Sequence, residues 1–407
     1  MLTRLNCLLA FVGFCAILFL GTNAGLAQDS VAALQKSLRE QATLAETDFA
    51  ALQQGQTVVR LMPVKDKREV AVFGLVSLQA PADVFLQSYR ESMTRKSNSA
   101  ILEIGSFSAV PTLEDLQSLT FEDRDIDDMK ECVVGDCKLK LSASMINRFH
   151  KEMDWEAPDY RVRASELLKR ILLDYVRDYL ARGDMALIEY NDKPNEVRLV
   201  EDQRALMAAP GYLNNILPEF PQHLKGFTKP ETSVVEDAIV WSKFKFGLKP
   251  VIAINHIMVF KHEQASGPQI LVASKQIYAN HYFDSSLALT AFVNVTGESP
   301  GSYLIYENRS RTDGLEGAFS KIKRGIVEGR AVASLKTILE KSKANLNARA
   351  LGETEPAFPA DEGGNWRRWK FARVHVFLWL FLITASLVLF TLSNYNRKGA
   401  ISRRAQY

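Results

Sequence analysis

Short, mostly apolar runs rich in strand-forming residues and bounded by turn residues predict most of the strands in this chain. Two such runs, Thr57 to Met62 and Arg68 to Leu78, occur in its first quarter. Five more follow in the second half, joined by turns so short that neighbouring strands are expected to be antiparallel. These five are Val235 to Phe244, Val251 to Phe260, Ile270 to Phe283, Leu287 to Val295 and Tyr303 to Arg309.

Helical spacing of apolar residues predicts the remaining elements. After the sequence Ala80-Pro81-Ala82-Asp83, apolar side chains recur three or four residues apart over 84–93, and again over 164–179. A long helix over 314–345 follows the last strand. Its apolar positions change face along its length, which predicts a kink or a packing switch near Gly325 and Gly329.

Two long apolar segments predict export and membrane anchoring. Residues 1–27 follow the order of a signal peptide, with an apolar run from Cys7 to Gly21 and small residues that favour cleavage after Ala27. An uncleaved anchor is the alternative for this segment. Residues 374–392 are long and apolar enough to form a transmembrane helix.

These segments define the predicted layout of a single-pass protein. A helical arm over 28–56 and an ectodomain over 57–345 are expected in the periplasm or outside the cell. A linker with a basic juxtamembrane segment, 346–373, leads to the transmembrane helix, and residues 393–407 form a cytoplasmic tail. Basic residues flank this helix on both sides, so its orientation follows from the signal peptide.

The charge of the whole chain conceals that of the ectodomain. The chain has 50 Lys and Arg against 47 Asp and Glu, but nine of the basic residues and none of the acidic ones lie in the signal peptide or around the transmembrane helix. The exported part therefore has 41 basic and 47 acidic residues, a net charge of −6. This balance argues against nucleic acid as a partner, whereas the basic flanks suit the membrane lipid bilayer.

Cys132 and Cys137 are the only cysteines that remain after cleavage. With Gly135 and Asp136 between them, they predict a disulfide that closes a tight hairpin and stabilises the domain by about 2 kcal/mol. A redox-active pair is disfavoured because there is no Cys-x-x-Cys, and half of a metal site is disfavoured because there is no second pair.

The strands over 251–283 carry the best candidates for a binding site. His256 lies on the face of Ile254, Met258 and Phe260, where it is either a satisfied core residue or a ligand-binding or catalytic one. Polar and aromatic residues follow densely on the next strand, with Lys275 and His281 on one face and Tyr278 on the other. A solvated edge with ordinary strand-forming residues is the alternative reading of this strand.

Other patterns contribute little chemistry. Glu307, Arg309 and Arg311 share a strand face and are expected to form exposed ion pairs of small energetic value. The chain contains no nucleophile, phosphate-binding or dinucleotide motif, and its six histidines show no metal-ligand spacing. No cofactor or metal is expected. A non-enzymatic role is favoured, and an enzymatic one stays open as the alternative.

The order of elements resembles the helix-grip fold of START-like (SRPBCC-type) lipid-transfer domains. A strand runs into Ala-Pro-x-Asp and a helix between Val70 and Tyr89, and a long helix follows the final strand between Tyr303 and Glu340. The resemblance covers residues 68–95 and 235–343. It implies an α+β fold in which an antiparallel sheet wraps a long C-terminal helix, with a helical insertion over about 96–230.

The same resemblance implies a cavity between sheet and C-terminal helix that accepts an apolar ligand. Its lining would include Trp241, Met258, Tyr278, Phe292 and Phe319, and His256, Lys275 and His281 complete the candidate ligand-binding set. The first functional hypothesis is therefore a membrane-tethered domain that binds a lipid or other hydrophobic ligand. The alternatives are a non-enzymatic interaction or scaffold protein at the membrane and, third, a hydrolase using His256 or His281.

Overall fold

The computed structural model describes residues 35–40, 42–94, 101–208, 234–246, 249–264, 267–295, 301–317 and 320–353. Within these ranges no helix combines the length and the apolar character needed to cross a bilayer. The predicted signal peptide over 1–27, transmembrane helix over 374–392 and tail over 393–407 lie outside the described residues, as does most of the predicted linker.

A large antiparallel sheet dominates the described residues, which confirms the predicted α+β class. Eight of the described strands form this sheet in the order β1-β2-β10-β9-β8-β7-β6-β3, and β4 pairs only with β5. The strands are β1 Val58–Leu61, β2 Glu69–Leu78, β3 Ile101–Ser106, β4 Glu189–Tyr190, β5 Val197–Arg198, β6 Val234–Phe244, β7 Val251–Gln264, β8 Gly267–Ala279, β9 Ser285–Asn294 and β10 Ser302–Arg311.

The helices lie before, between and after these strands. Residues 35–40 are helical, and Thr43 with a φ of +52° separates them from α1, so the predicted arm is broken rather than continuous. The other elements are α1 Glu46–Gln53, α2 Ala82–Thr94, α3 Asp123–Lys130, α4 Ala143–Glu152, α5 Tyr160–Arg182, α6 Leu199–Met207 and α7 Ser320–Ala350.

The segment expected to be a purely helical insertion begins with a strand of the main sheet. β3 pairs with β6, and Gly105 lies opposite Trp241. A Cβ atom on Gly105 would come within 2.5 Å of the Trp241 indole, so only glycine lets the ring lie over this strand. The indole Nε1 in turn donates to the Asp115 carbonyl (2.8 Å), which ties the start of the insertion to the sheet.

The sheet is covered on both faces. Helices α2 and α7 pack on one face of the sheet, called the α7 face below. It includes Val72, Val76 and Leu78 of β2. The opposite side, the insertion face, is covered by residues 38–52 at one end and by α3, α4 and α5 at the other. Directly opposed residues of antiparallel strands share a face. The register therefore shows, for most side chains of the sheet, which of the two covering layers they contact.

The C-terminal helix α7 is continuous through Gly325 and Gly329, where a change of packing was predicted. From Val327 onwards the side chains of its buried stripe recur three or four residues apart. The helix does not kink, but its packing changes at Gly329, because Val327 and Ala331 belong to different apolar clusters. Ile322, in the first turn of the helix, is 60% exposed. The stripe consists of Val327, Ala331, Leu335, Ile338, Leu339, Ser342 and Leu346.

Gly74 of β2 sets how closely α7 approaches the sheet. A Cβ atom at this position would lie 2.4 Å from Leu339 Cδ1 and 3.1 Å from Leu335 Cδ2. Glycine therefore lets two leucines of the helix rest directly on the strand backbone.

Cys132 and Cys137 form the predicted disulfide. The hairpin between them turns at Gly135, whose φ of +89° favours glycine, and Val133 bridges Asp136 across it. Backbone amides of Gly135 and Cys137 donate to the carbonyls of residues 191 and 192, so the hairpin is fastened to the segment after β4.

We predict that Gly74→Ala lowers the free energy of unfolding of the full chain by about 1–3 kcal/mol, because the methyl group overpacks the α7 contact. Gly329→Ala is the matched control: nothing lies within 4 Å of its added Cβ, and alanine favours the helix. Urea unfolding of the three proteins tests this. Equal stability of Gly74→Ala and wild type would contradict the close packing of α7.

Candidate ligand-binding site

A band of uncharged polar side chains crosses the middle of the α7 face. Tyr306 lies opposite both Gly74 and Thr290, and Ser310 lies opposite Ser286. The band continues onto β8 and β7, where Gln276 opposes Asn255. Its members, called the polar band below, are Asn255, Ser274, Gln276, Ser286, Thr290, Tyr306, Asn308 and Ser310.

Part of the polar band is hydrogen-bonded internally. The hydroxyls of Ser286 and Ser310 are 2.8 Å apart, and Ser310 Oγ donates to Asn308 Oδ1 at 2.9 Å. By contrast, two buried atoms of the polar band, Ser274 Oγ and Gln276 Nε2, have no hydrogen-bond partner within the described residues. Buried polar atoms are normally satisfied, so these two atoms require an explanation.

Apolar clusters border the polar band on two sides. The Phe85 cluster contains Phe85, Tyr89, Phe292, Leu335 and Leu339 among others, and the Phe246 cluster contains Phe244, Phe246, Phe283, Leu315 and Val327 among others. Val327 of α7 belongs to one cluster and Ala331, one turn later, to the other. This turn of α7 therefore connects the two clusters, and the side chains that it contributes to them, Val327 and Ala331, are small.

Solvent reaches the polar band from its ends. Asn255 and Ser286 lie on inner strands of the sheet, yet both are only half-buried. Beside Asn255, the half-buried side chains of Ile104 and Ala238 extend the same face towards β3. The arrangement places polar groups next to accessible apolar surface, as in sites for small amphipathic molecules.

The insertion face has a different chemistry at the same strands. His256 and Lys275, a cross-strand pair, are 3% and 1% exposed beneath α5. The His256 ring is hydrogen-bonded through Nδ1 to the Tyr179 hydroxyl (2.9 Å) and through Nε2 to Asp237 (2.7 Å). Lys275 forms an ion pair with Asp184, and burial lowers its pKa against the opposing effect of that carboxylate.

His281 belongs to a second charged cluster under the disulfide hairpin. Its Nε2 lies 2.9 Å from Asp125, and Lys249 Nζ lies 2.7 Å from both Asp125 and Asp128. Burial acts to raise the pKa of Asp125, but the hydrogen bonds and charges of His281 and Lys249 outweigh it and keep the pKa below 3.8. Asp128 behaves in the same way, with Lys138 and Lys249 as its partners.

The ion pairs of β10 are buried, which corrects the expectation that they are exposed. Glu307 and Arg309 are 1% and 6% exposed, and Arg309 donates to Glu307 and to Glu69 at 2.6 Å each. Arg311 donates to Asp202 of α6 at 2.7 Å, so the end of β10 is joined to the insertion. Glu69 and Asp202 lie more than a hundred residues away in sequence, and the strand pattern alone could not reveal them as partners.

Arg68 and Lys140 extend this network around Asp284. Arg68 contacts Asp202 (3.0 Å) and Asp284 (3.2 Å), and Lys140 lies 2.8 Å from Asp284. Asp284 is fully buried between these two cations, which lie within ion-pair distance of its carboxylate. The network fastens the insertion to the turn between β8 and β9.

The structure does not bring the predicted cavity-lining residues together. Trp241, Met258 and Tyr278 lie on the insertion face, as do His256 and Lys275. Phe292 lies on the α7 face, against Phe85 at a ring-centroid distance of 5.2 Å. Phe319 lies outside the described residues. A register shift in the pairing of β7 with β8, after Ile254, places Tyr278 on the side away from α7.

Sequence reasoning missed the polar band. A signal was present, since the even positions of β9 and β10 combine the apolar residues Ala288, Phe292 and Leu304 with polar ones. The polar ones in the band are Ser286, Thr290, Tyr306, Asn308 and Ser310. Recognising a band also requires the register between strands, which the sequence of one chain does not supply.

The geometry of the two histidines bears on catalysis. His256 and His281 each reach a carboxylate, as a general base requires, but both rings are buried beneath the insertion. In the described part of the chain no group of three His, Cys, Asp or Glu residues is arranged to hold a metal ion.

Comparisons with protein-family models, with curated proteins and with solved structures find no match for this chain. The function must therefore be argued from the residues and geometry given above.

We predict that Arg309→Met destabilises the protein by about 3 kcal/mol, because it leaves the carboxylates of Glu69 and Glu307 buried with less positive charge nearby. Arg182→Met, which breaks an exposed pair with Asp178 on α5, is the control and is expected to leave stability unchanged. Urea unfolding measures both. A small effect of Arg309→Met would show that the β10 ion pairs contribute no more than surface pairs.

Lys249→Gln tests the cluster around Asp125 through its pH dependence. Lowered carboxylate pKa values stabilise the fold above the unfolded-state pKa, and this stabilisation is lost as the pH falls through the folded-state value. We expect a loss of about 2 kcal/mol at neutral pH that shrinks between about pH 5 and about pH 2. A loss that stays constant over this range would contradict the assignment.

Proposed function

We propose that this chain is an exported, membrane-tethered protein that binds a lipid or other hydrophobic ligand between its sheet and α7. The polar band carries the proposal, because Ser274 and Gln276 hold buried polar atoms without partners among the described residues on an otherwise largely apolar face. Leaving such atoms unsatisfied costs free energy, and a polar group of a bound ligand would recover it.

Apolar surroundings support a ligand that is mostly hydrophobic. The Phe85 and Phe246 clusters border the polar band, and Ile104 and Ala238 add accessible apolar surface on the same face. A ligand with an apolar body and one polar end matches both features. Burial of such a body is driven by the apolar area removed from water.

The proposal includes the helix-grip arrangement of START-like domains and the predicted topology. A strand leading into α2, the antiparallel run from β6 to β10 and α7 packed on β2 support the first part. Residues 1–27 and 374–392 support the second through their composition. A tethered domain would stay close to the bilayer, which is the natural source of a lipid ligand.

An interaction protein is the second candidate, favoured by the disulfide hairpin. Val133 and Val134 at its tip are 51% and 50% exposed, while the hairpin itself is held by the disulfide and by backbone hydrogen bonds. Exposed apolar side chains on a rigid support suit contact with a partner. The hydrolase reading is third, because the insertion covers both histidines.

Organic extraction of the purified full chain, followed by mass spectrometry, tests ligand binding. Asn255→Phe places a bulky ring at the accessible end of the polar band, whereas Thr337→Phe adds the same ring on the exposed side of α7. Lipids that adhere to the membrane segment are equal in both variants. We expect a lipid or other apolar molecule near one per chain in wild type and Thr337→Phe, reduced at least about fivefold in Asn255→Phe.

Two outcomes would contradict the proposal. In the first, the wild-type extract contains no molecule that is absent from the Asn255→Phe extract. In the second, both variants retain the same molecule in the same amount per chain as wild type. Either result would leave the interaction protein as the better reading. Thermal unfolding of each variant shows whether Asn255→Phe is folded before its ligand content is compared.

A further inference from the structure

We infer that the end of the ligand held by the polar band is uncharged and carries a hydroxyl or carbonyl oxygen. This inference rests on the proposed function, and it names the chemical class of the ligand: a neutral amphipathic lipid, as opposed to a free fatty acid or a lipid phosphate.

The polar band offers hydrogen bonds without a charge. Its members are amides, aliphatic hydroxyls and one phenol, all able to donate and to accept. Burial raises the pKa of the Tyr306 phenol, which therefore stays neutral at physiological pH. An ionised group placed here would lose its hydration and gain no opposite charge from the band, which is unfavourable.

The charges of the same strands lie on the other face. His256 and Lys275 each adjoin a band residue in sequence, and alternation turns them towards α5. The charges of Glu307, Arg309 and Arg311 alternate with Asn308 and Ser310 in the same way. Next to the polar band, the sheet therefore separates the charged residues of these strands from the ligand side. Lys261 and Glu263 of β7 share the α7 face, but they pair with each other at the far end of the strand.

Two charged side chains in the first half of α7, Arg324 and Glu328, are already engaged. Arg324 forms an ion pair with Glu328 at 3.0 Å and donates to the backbone carbonyls of Lys67 and Glu69. These contacts hold the guanidinium at the start of β2, away from Ser274 and Gln276 on β8.

The two unpartnered atoms indicate the ligand group. Gln276 Nε2 is a donor and requires an acceptor, and Ser274 Oγ can donate or accept. One ligand hydroxyl or carbonyl oxygen can accept from Gln276, and a hydroxyl can also pair with Ser274. A quaternary ammonium could satisfy neither atom because it has no hydrogen-bonding group.

Photoreactive lipid probes test the inference on the full chain in native membranes. Two probes of equal chain length, a fatty alcohol and the corresponding fatty acid, each carry a diazirine for cross-linking and an alkyne for detection. After irradiation at neutral pH, mass spectrometry locates the labelled peptides. We expect the alcohol to label peptides of β7 to β10 and α7 at least about tenfold more than the acid.

Variants connect the labelling to the polar band. Ser274→Ala combined with Gln276→Met is expected to reduce labelling by the alcohol about tenfold. Tyr278→Phe is the matched control, because it removes another buried hydroxyl without a partner in the described residues, but on the insertion face. If the double variant is unstable, Ser274→Ala alone carries the comparison with a smaller expected reduction.

The outcomes separate the two proposals. Equal or stronger labelling of the same peptides by the acid would overturn the neutral-group inference and leave ligand binding intact. Unchanged labelling in the Ser274 and Gln276 variants would also overturn it. Failure of both probes to label these peptides would contradict the proposed function itself.

Discussion

The two-sided covering of the sheet is the constraint on which the rest of the structure depends. Inner strands have no solvent-facing side, so most of their residues must suit either α7 and α2 or the insertion and the arm. Alternation assigns consecutive residues to opposite layers. In β8 and β10 this rule separates two kinds of polarity, with charges such as Lys275 and Arg309 on one face and neutral groups such as Gln276 and Asn308 on the other.

Charges can be buried on the insertion face because each lies close to an opposite charge there. Arg311, Arg68 and Lys140 meet carboxylates from α6 and from the turn after β8, and Lys249 meets two carboxylates of α3. Such pairs contribute little net stability relative to apolar packing, but removing one member is costly. Their effect is to fix where the insertion sits. A fixed insertion leaves the α7 face as the side of the proposed ligand site.

Much of the fold could be predicted because it depends on local patterns. The run rich in valine and phenylalanine located β2, the long runs of strand-forming residues located β6 to β10, and Cys132 with Cys137 predicted the disulfide. β3 was missed because Ile101 to Ser106 is short and its place beside β6 depends on Gly105 lying under Trp241. The burial of Arg309 and Arg311 was missed because their partners Glu69 and Asp202 are distant in sequence.

The candidate site was the least predictable part, since it depends on register. Tyr278 and Phe292 looked equivalent as aromatic residues of neighbouring strands, yet the shift after Ile254 separates their faces. The polar band exists only when Ser274, Gln276, Ser286 and Ser310 are aligned across three strands. Alternation within a strand predicts which residues of that strand share a face. Only the register between strands shows which residues of different strands are neighbours.

A crystal structure of the full chain purified without added ligand tests the central claim most directly. The account predicts elongated electron density between β8 and α7, with one end within hydrogen-bonding distance of Ser274 Oγ and Gln276 Nε2 and the rest against the apolar clusters. Density filled entirely by protein side chains, with both atoms bonded to protein groups, would contradict it.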